Sequence, residues 1–223
     1  MLPAWARRRI RWAPDASALL LLVALTALTM ARVVRGGTLV DMDTVTQYWP
    51  WNAYLGERLR AFEIPMWNPY QFSGTPFAAD PLSGWGYLPA MLIFSVLPMA
   101  AAAETYMVFH MLLAGGFAYA LGRALHLGRV GALAAAVTYE FNGFFYEHNY
   151  CCLPYAAVAT WLPLALLGLE MAIRAQRWLP RAAWWGVSGF AISQILAGWI
   201  GQGAYYALLT IWGYTAYRTL ISP

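Results

Sequence analysis

The sequence predicts an all-α protein, a polytopic membrane helix bundle of about six spans with a long outer loop between spans 1 and 2. Three observations predict it. The chain is 61% hydrophobic and 11% charged, with mean hydropathy +0.50, whereas a soluble domain carries about 25% charged residues. Apolar runs of spanning length recur from Ala16 to Tyr217. Arginines fall at alternate ends of those runs, as the positive-inside rule requires.

Arg7, Arg8, Arg9 and Arg11 precede the first run, Ala16 to Val34, and place the N-terminus in the cytoplasm. No small-x-small cleavage pattern follows, so the run reads as an uncleaved span rather than a secretory leader. Arg32 and Arg35 at its far end weaken that bias without reversing it. Residues 36–101 then form an extracytoplasmic loop. Within it Trp51, Leu55, Leu59 and Phe62 recur at i, i+4, i+8 and i+11, with Glu57, Arg58 and Arg60 off the stripe. This predicts a short amphipathic helix lying on the membrane surface, ended by Ile64-Pro65. Residues 66–86 are dense in Pro, Gly and Asn and predict turns. Tyr87 to Leu97 is apolar but too short to cross, so it is interfacial or re-entrant.

Five further crossings follow. Ala102 to Leu121 runs in to Arg123 and Arg129, and Val130 to Phe145 runs out to Tyr146-Glu147-His148-Asn149. Tyr155 to Ile173 returns to Arg174, Arg177 and Arg181, Ala182 to Ala197 leads out to the Gly198–Gly203 stretch, and Ala204 to Tyr217 ends at Arg218. Each basic loop shares a side with the N-terminus only if Tyr87 to Leu97 does not cross. Residues 1–223 thus read as one membrane domain, multi-pass in the cell membrane.

All 14 basic residues are arginine. They flank apolar runs and build no basic face, which excludes nucleic acid as a partner. The sequence has no HExxH, GxSxG or P-loop. Cys151 and Cys152 are adjacent. A disulfide between neighbours is geometrically poor and zinc needs more ligands, so they read as small apolar side chains.

The outer loop holds half of the chain's ten acidic residues: Asp41, Asp43, Glu57, Glu63 and Asp80. Asp41 and Asp43 lie just past the first span. They are either a general base or cation ligand, or hydrated acids marking a helix end. Asn68, Tyr70 and Asp80 lie in a run alternating polar, aromatic and turn residues. It is either a sugar- or headgroup-contacting loop or an ordered cover for the bundle. Glu140, Gly143 and Glu147 are spaced to share one helical face beside His148, which either contacts a phosphate or is interfacial. Gln202, among Gly198, Gly201 and Gly203, is either a contact residue or part of close helix packing.

Taken in order, several strings resemble one family. They are Asp43-x6-Pro50-Trp51, Ile64-Pro65-Met66-Trp67-Asn68-Pro69-Tyr70, Gly74-Thr75-Pro76-Phe77-Ala78-Ala79-Asp80 and Tyr87-Leu88-Pro89. Asn142-Gly143-x4-His148 and Trp161-Leu162-Pro163-Leu164 with Glu170 follow. Together they resemble the N-terminal part of the bacterial YfhO-like membrane proteins, grouped with the GT-C glycosyltransferases. Where that family often carries Gly-His-x-Gln, this chain has Trp199-Ile200-Gly201-Gln202 and keeps only the glutamine. Family members are several times longer, so the chain reads as an N-terminal fragment.

The resemblance implies a GT-C-like bundle and a hexosyltransferase that takes sugar from a polyprenyl-phosphate donor. The acceptor is extracytoplasmic, such as a cell-envelope glycopolymer. It implies Asp43 as the catalytic acid, with Asp41 as its rival. Asp80, Asn68, Tyr70, His148, Glu147, Arg58 and Gln202 are expected to contact substrate. No cofactor is certain; a magnesium or manganese ion shared by Asp43 and Asp80 is the one weighed. The competing classes are a transporter or flippase of lipid-linked sugars and a non-catalytic membrane partner. Nearly charge-free span interiors, with His110 and Glu140 the nearest exceptions, argue against the transporter.

Overall fold

A computed structural model describes residues 12–31 and 41–221. The arginines that orient the first span, Arg7, Arg8, Arg9, Arg11, Arg32 and Arg35, lie outside the described residues, as does the end of that span to Val34. The described chain is almost entirely helical. It opens with α1 (Trp12–Thr29), a π-helical turn (Thr44–Tyr48), α2 (Trp49–Arg60) and the hairpin β1 (Trp67–Asn68) and β2 (Thr75–Pro76). Then come α3 (Leu88–Val96), α4 (Met99–Ala124), α5 (Arg129–Glu140), α6 (Gly143–Cys151), α7 (Leu153–Arg174), α8 (Trp178–Gly198) and α9 (Gln202–Ala216). Two of these, α4 and α7, are long and apolar enough to cross a membrane.

The loop 41–98 is folded against one end of the bundle, and its predicted amphipathic stripe is buried in protein rather than laid on lipid. Trp51 and Leu55 join Tyr54, Phe77, Tyr87, Phe94 and Tyr106 in one core. Phe62 leaves the stripe: α2 ends at Arg60, and Phe62 turns out to solvent with φ +58°. The hairpin is antiparallel, pairing Trp67 with Pro76 and Asn68 with Thr75. Gly74 lets it close, since at φ +111° a Cβ would also run into the Trp67 indole. As expected, α3 is too short to cross at nine residues, about 14 Å. The Leu97-Pro98 step separates it from α4.

The run predicted over Val130 to Phe145 is broken. α5 stops at Glu140, and Asn142 starts α6 by accepting the Phe145 amide at 2.9 Å. Glu140, Gly143 and Glu147 therefore do not share one helical face. Glu140 is fully buried and bonds to Thr26 of α1, whereas Glu147 is exposed on α6. The cysteine reading is also corrected: Cys151 and Cys152 are disulfide-bonded. Cys152, at φ −136° and ψ 69° between α6 and α7, leaves helical geometry, so both side chains point the same way.

α7 is the central helix, packed on α4, α8 and α9. Pro163 removes one amide from its ladder, and the freed Ala159 carbonyl accepts the Tyr139 hydroxyl of α5 at 2.8 Å. Gly168 lets α8 approach so closely that a Cβ there would lie 2.7 Å from the Ser188 amide nitrogen. The far end is closed by two ion clusters. Asp15 takes the Tyr119 hydroxyl (2.7 Å) and Arg123 (3.0 Å). Buried Glu170 takes Arg174, Arg218 (2.8 Å) and the Tyr214 hydroxyl (2.8 Å).

Candidate functional site

The site lies where the loop meets the starts of α7 and α9. Thr44 positions it. Its hydroxyl bonds the carbonyls of Tyr150 and Cys151, the latter at 2.7 Å, and pins the π-helical turn to the end of α6. Asp43 is the residue before that turn. Its carboxylate is exposed, and one oxygen lies within 4.8 Å of both the Cys151 and Cys152 sulfurs. Asp41 is spent locally on the Met42 amide at 2.6 Å.

A π-helical turn brings residues five apart into register, and Tyr48 is five residues after Asp43. Tyr48 is buried, and its hydroxyl is pushed up from 10.0 to about 12. Burial is the main cause, followed by the electrostatic influence of Tyr155, Asp43 and Asp80. Asp80 and Asp43 thus act on one phenol from different parts of the loop. Asp80 caps its own turn, one oxygen accepting the Leu82 amide at 2.8 Å.

Tyr155 also lines a groove of about 320 Å³ beside α7 and α9. His148, Trp199 and Gln202 line it together with the apolar Val158, Leu162 and Ala207. His148 turns Nδ1 to the Phe144 carbonyl (2.9 Å) and stacks on Phe144 at 4.2 Å, which frees Nε2. Tyr155 packs between His148 (5.1 Å) and Trp199 (4.3 Å). Gln202 donates to the Tyr206 hydroxyl at 3.1 Å.

The fold therefore brings His148 and Gln202 together with Tyr155 in one groove, while Asp43, Asp80 and Tyr48 are not part of that lining. It leaves others outside. Arg58 is held by Glu57 (3.1 Å) and Glu63 (2.6 Å), and Arg60 by the Phe94 carbonyl (2.9 Å). Asn68 and Tyr70 belong to a separate cleft between α2 and the hairpin. Glu147 is not part of the groove lining. Among the described residues Asp43 lies beside the Cys151–Cys152 disulfide, whose sulfurs carry no thiolate to bind a metal, and Asp80 is not in that group. Magnesium and manganese prefer oxygen donors, so this donor set does not fit them. Tyr48, Tyr155 and Trp199 escape a sequence reading, because aromatic residues near a membrane are ordinarily packing or interface residues. The five-residue spacing from Asp43 to Tyr48 becomes a signal only once the turn is known to be π-helical.

No family model matches the chain, and neither does any curated protein or solved structure.

Proposed function

We propose that the chain forms the loop-bearing part of a YfhO-like, GT-C-type membrane glycosyltransferase. In this reading it crosses the cell membrane about six times, α5 and α6 serving together as one broken span. The loop faces away from the cytoplasm. The observation that carries the reading is the groove itself, which sets the polar side chains of His148 and Gln202 beside the apolar Val158, Leu162 and Ala207. Such a pair of environments suits a donor whose polyprenyl tail is apolar and whose head is a sugar phosphate.

The tail lies along Val158, Leu162 and Ala207, and the phosphate meets the Gln202 amide beside the His148 ring. An acceptor hydroxyl attacks the anomeric carbon, and Asp43 takes its proton as the bond to the phosphate oxygen breaks. The bonding pair stays on the phosphate, where the Gln202 amide N–H donates a hydrogen bond. Tyr48, kept as a neutral phenol, donates to a sugar oxygen, and Asp80 orients the acceptor. General-base help of this kind is worth about 10²–10⁴-fold in rate, or about 3–5 kcal/mol.

The test is transfer from a polyprenyl-phosphate sugar by protein in lipid nanodiscs. Asp43→Asn is expected to lower the rate at least about a hundredfold while membrane insertion and donor binding persist. Undiminished transfer by Asp43→Asn removes Asp43 from the mechanism. Donor binding without transfer by the unmodified chain points to the non-catalytic or transporting alternatives.

A further inference from the structure

The face of α2 opposite the buried Trp51–Leu55 stripe does not lie flat against solvent. The hairpin folds over it and leaves a cleft of about 590 Å³, within the range of about 300–1,000 Å³ typical of small-molecule sites. We propose that this cleft binds a neutral, hydroxyl-rich oligosaccharide. The proposal rests on the transferase reading only in naming that sugar as the acceptor, because the cleft begins at Thr46, one turn from Asp43.

The lining chemistry selects the ligand. Asn68 forms part of the cleft wall and is 2% exposed. Its Oδ1 accepts the Tyr70 amide at 3.0 Å, and among the described residues nothing accepts from its Nδ2. A buried amide with an unused donor facing a cleft is suited to a ligand hydroxyl. Gln71 is held by the Trp51 indole N–H on its Oε1, which leaves its amide nitrogen as a second fixed donor. Both amides are set before any ligand arrives, so little side-chain entropy is lost on binding. Tyr70 is 74% exposed and braced edge-on by Tyr54 at 6.1 Å. It offers a flat ring against which the C–H face of a sugar can pack.

The charges argue against an anion. Glu57 and Arg60 line the same cleft and oppose one another, and Arg60 already donates to the Phe94 carbonyl. A phosphate or an acidic polymer would meet no net positive field here. A purely apolar guest would strand the amides.

The experiment passes the full chain in nanodiscs over an immobilised panel of neutral and anionic oligosaccharides. Retention on at least one neutral member is expected. Tyr70→Ala and Asn68→Ala are each expected to weaken that retention by about tenfold or more. Val130→Ala, exposed at the far end of the bundle, should not change it. Circular dichroism checks that each variant is folded, and exposed Tyr70 makes the first substitution the safer one. Retention on anionic members alone, on none, or undiminished retention by Tyr70→Ala overturns the proposal. The measurement needs no sugar donor, so a failure of Asp43→Asn to abolish transfer leaves it standing, and its own failure leaves the Asp43 test intact.

Discussion

Tyr48 shows how one residue reports on the site around it. Its hydroxyl is pushed from 10.0 to about 12, first by burial and then by Tyr155, Asp43 and Asp80. Below pH 10 both folded and unfolded chains hold the proton, and this titration does not affect stability. Between pH 10 and about 12 the unfolded chain releases its proton first, so stability falls as pH rises through that window. Carbon-13 NMR of labelled tyrosine, assigned by loss of the signal in Tyr48→Phe, should show Tyr48 ionising near 12. Ionisation near 10 would mean that the phenol is open to water and that the acids do not act on it. Beneath it, Tyr87 accepts the Trp161 indole N–H (2.7 Å) and faces His110 Nε2 (2.6 Å), while His110 Nδ1 faces the Tyr106 carbonyl (2.6 Å). With hydrogen on Nδ1 and the Tyr87 hydroxyl donating to Nε2, every group in this chain has a partner. Tyr87→Phe strands two of them and is expected to cost about 1–3 kcal/mol, read as a lowered denaturation midpoint in detergent.

Between elements, helix contacts depend on positions where a side chain is missing or a backbone bond is absent. Gly168 is the contact point of α7 with α8, where Ser188 also donates to the Ala165 carbonyl at 3.0 Å. Gly168→Ala must move α8 outward. Overpacking of this kind costs about 1–3 kcal/mol, so the thermal midpoint should drop measurably. An unchanged midpoint would show that the helices are not in close contact there. Pro163 and Tyr139 act as a pair, the proline freeing a carbonyl and the hydroxyl taking it. At the break after Glu140, Asn142 caps the next helix, which carries His148 to the groove.

Among the described residues, the ion pairs lie at the two ends of the bundle, with Glu140 and His110 buried between them. The far end is tied by Asp15 with Arg123 and by Glu170 with Arg174 and Arg218, and Arg174 also reaches the Ala124 carbonyl at 2.6 Å. Removing one partner of such a buried pair leaves the other charge uncompensated; Glu170→Gln is therefore expected to cost about 3 kcal/mol. The sidedness of the loop is open to direct measurement. In a chain with Cys151 and Cys152 replaced by alanine, Glu63→Cys should react with an impermeant thiol reagent on intact cells. Arg177→Cys should react only after permeabilisation. The reverse pattern would put the loop in the cytosol and end the transferase proposal.

Composition and periodicity were sufficient for the helical class, for the places of the long apolar helices, and for a loop element too short to cross. These depend on local properties: how apolar a stretch is, how long, and where proline and glycine interrupt it. They also singled out Asp43, Asp80, His148 and Gln202 as polar residues in apolar surroundings. What they could not supply was which of these meet. Arg58 sits in the same loop as Asp43 yet is held by Glu57 and Glu63, while Gln202, more than a hundred positions away, lines the same groove as Tyr155. The amphipathic stripe gave a helix but not its partner, and its apolar face packs on protein rather than lipid because the loop folds back on α3 and α4. Periodicity fixes which face of a helix is apolar, while only the packing of distant segments fixes what that face and its polar neighbours touch.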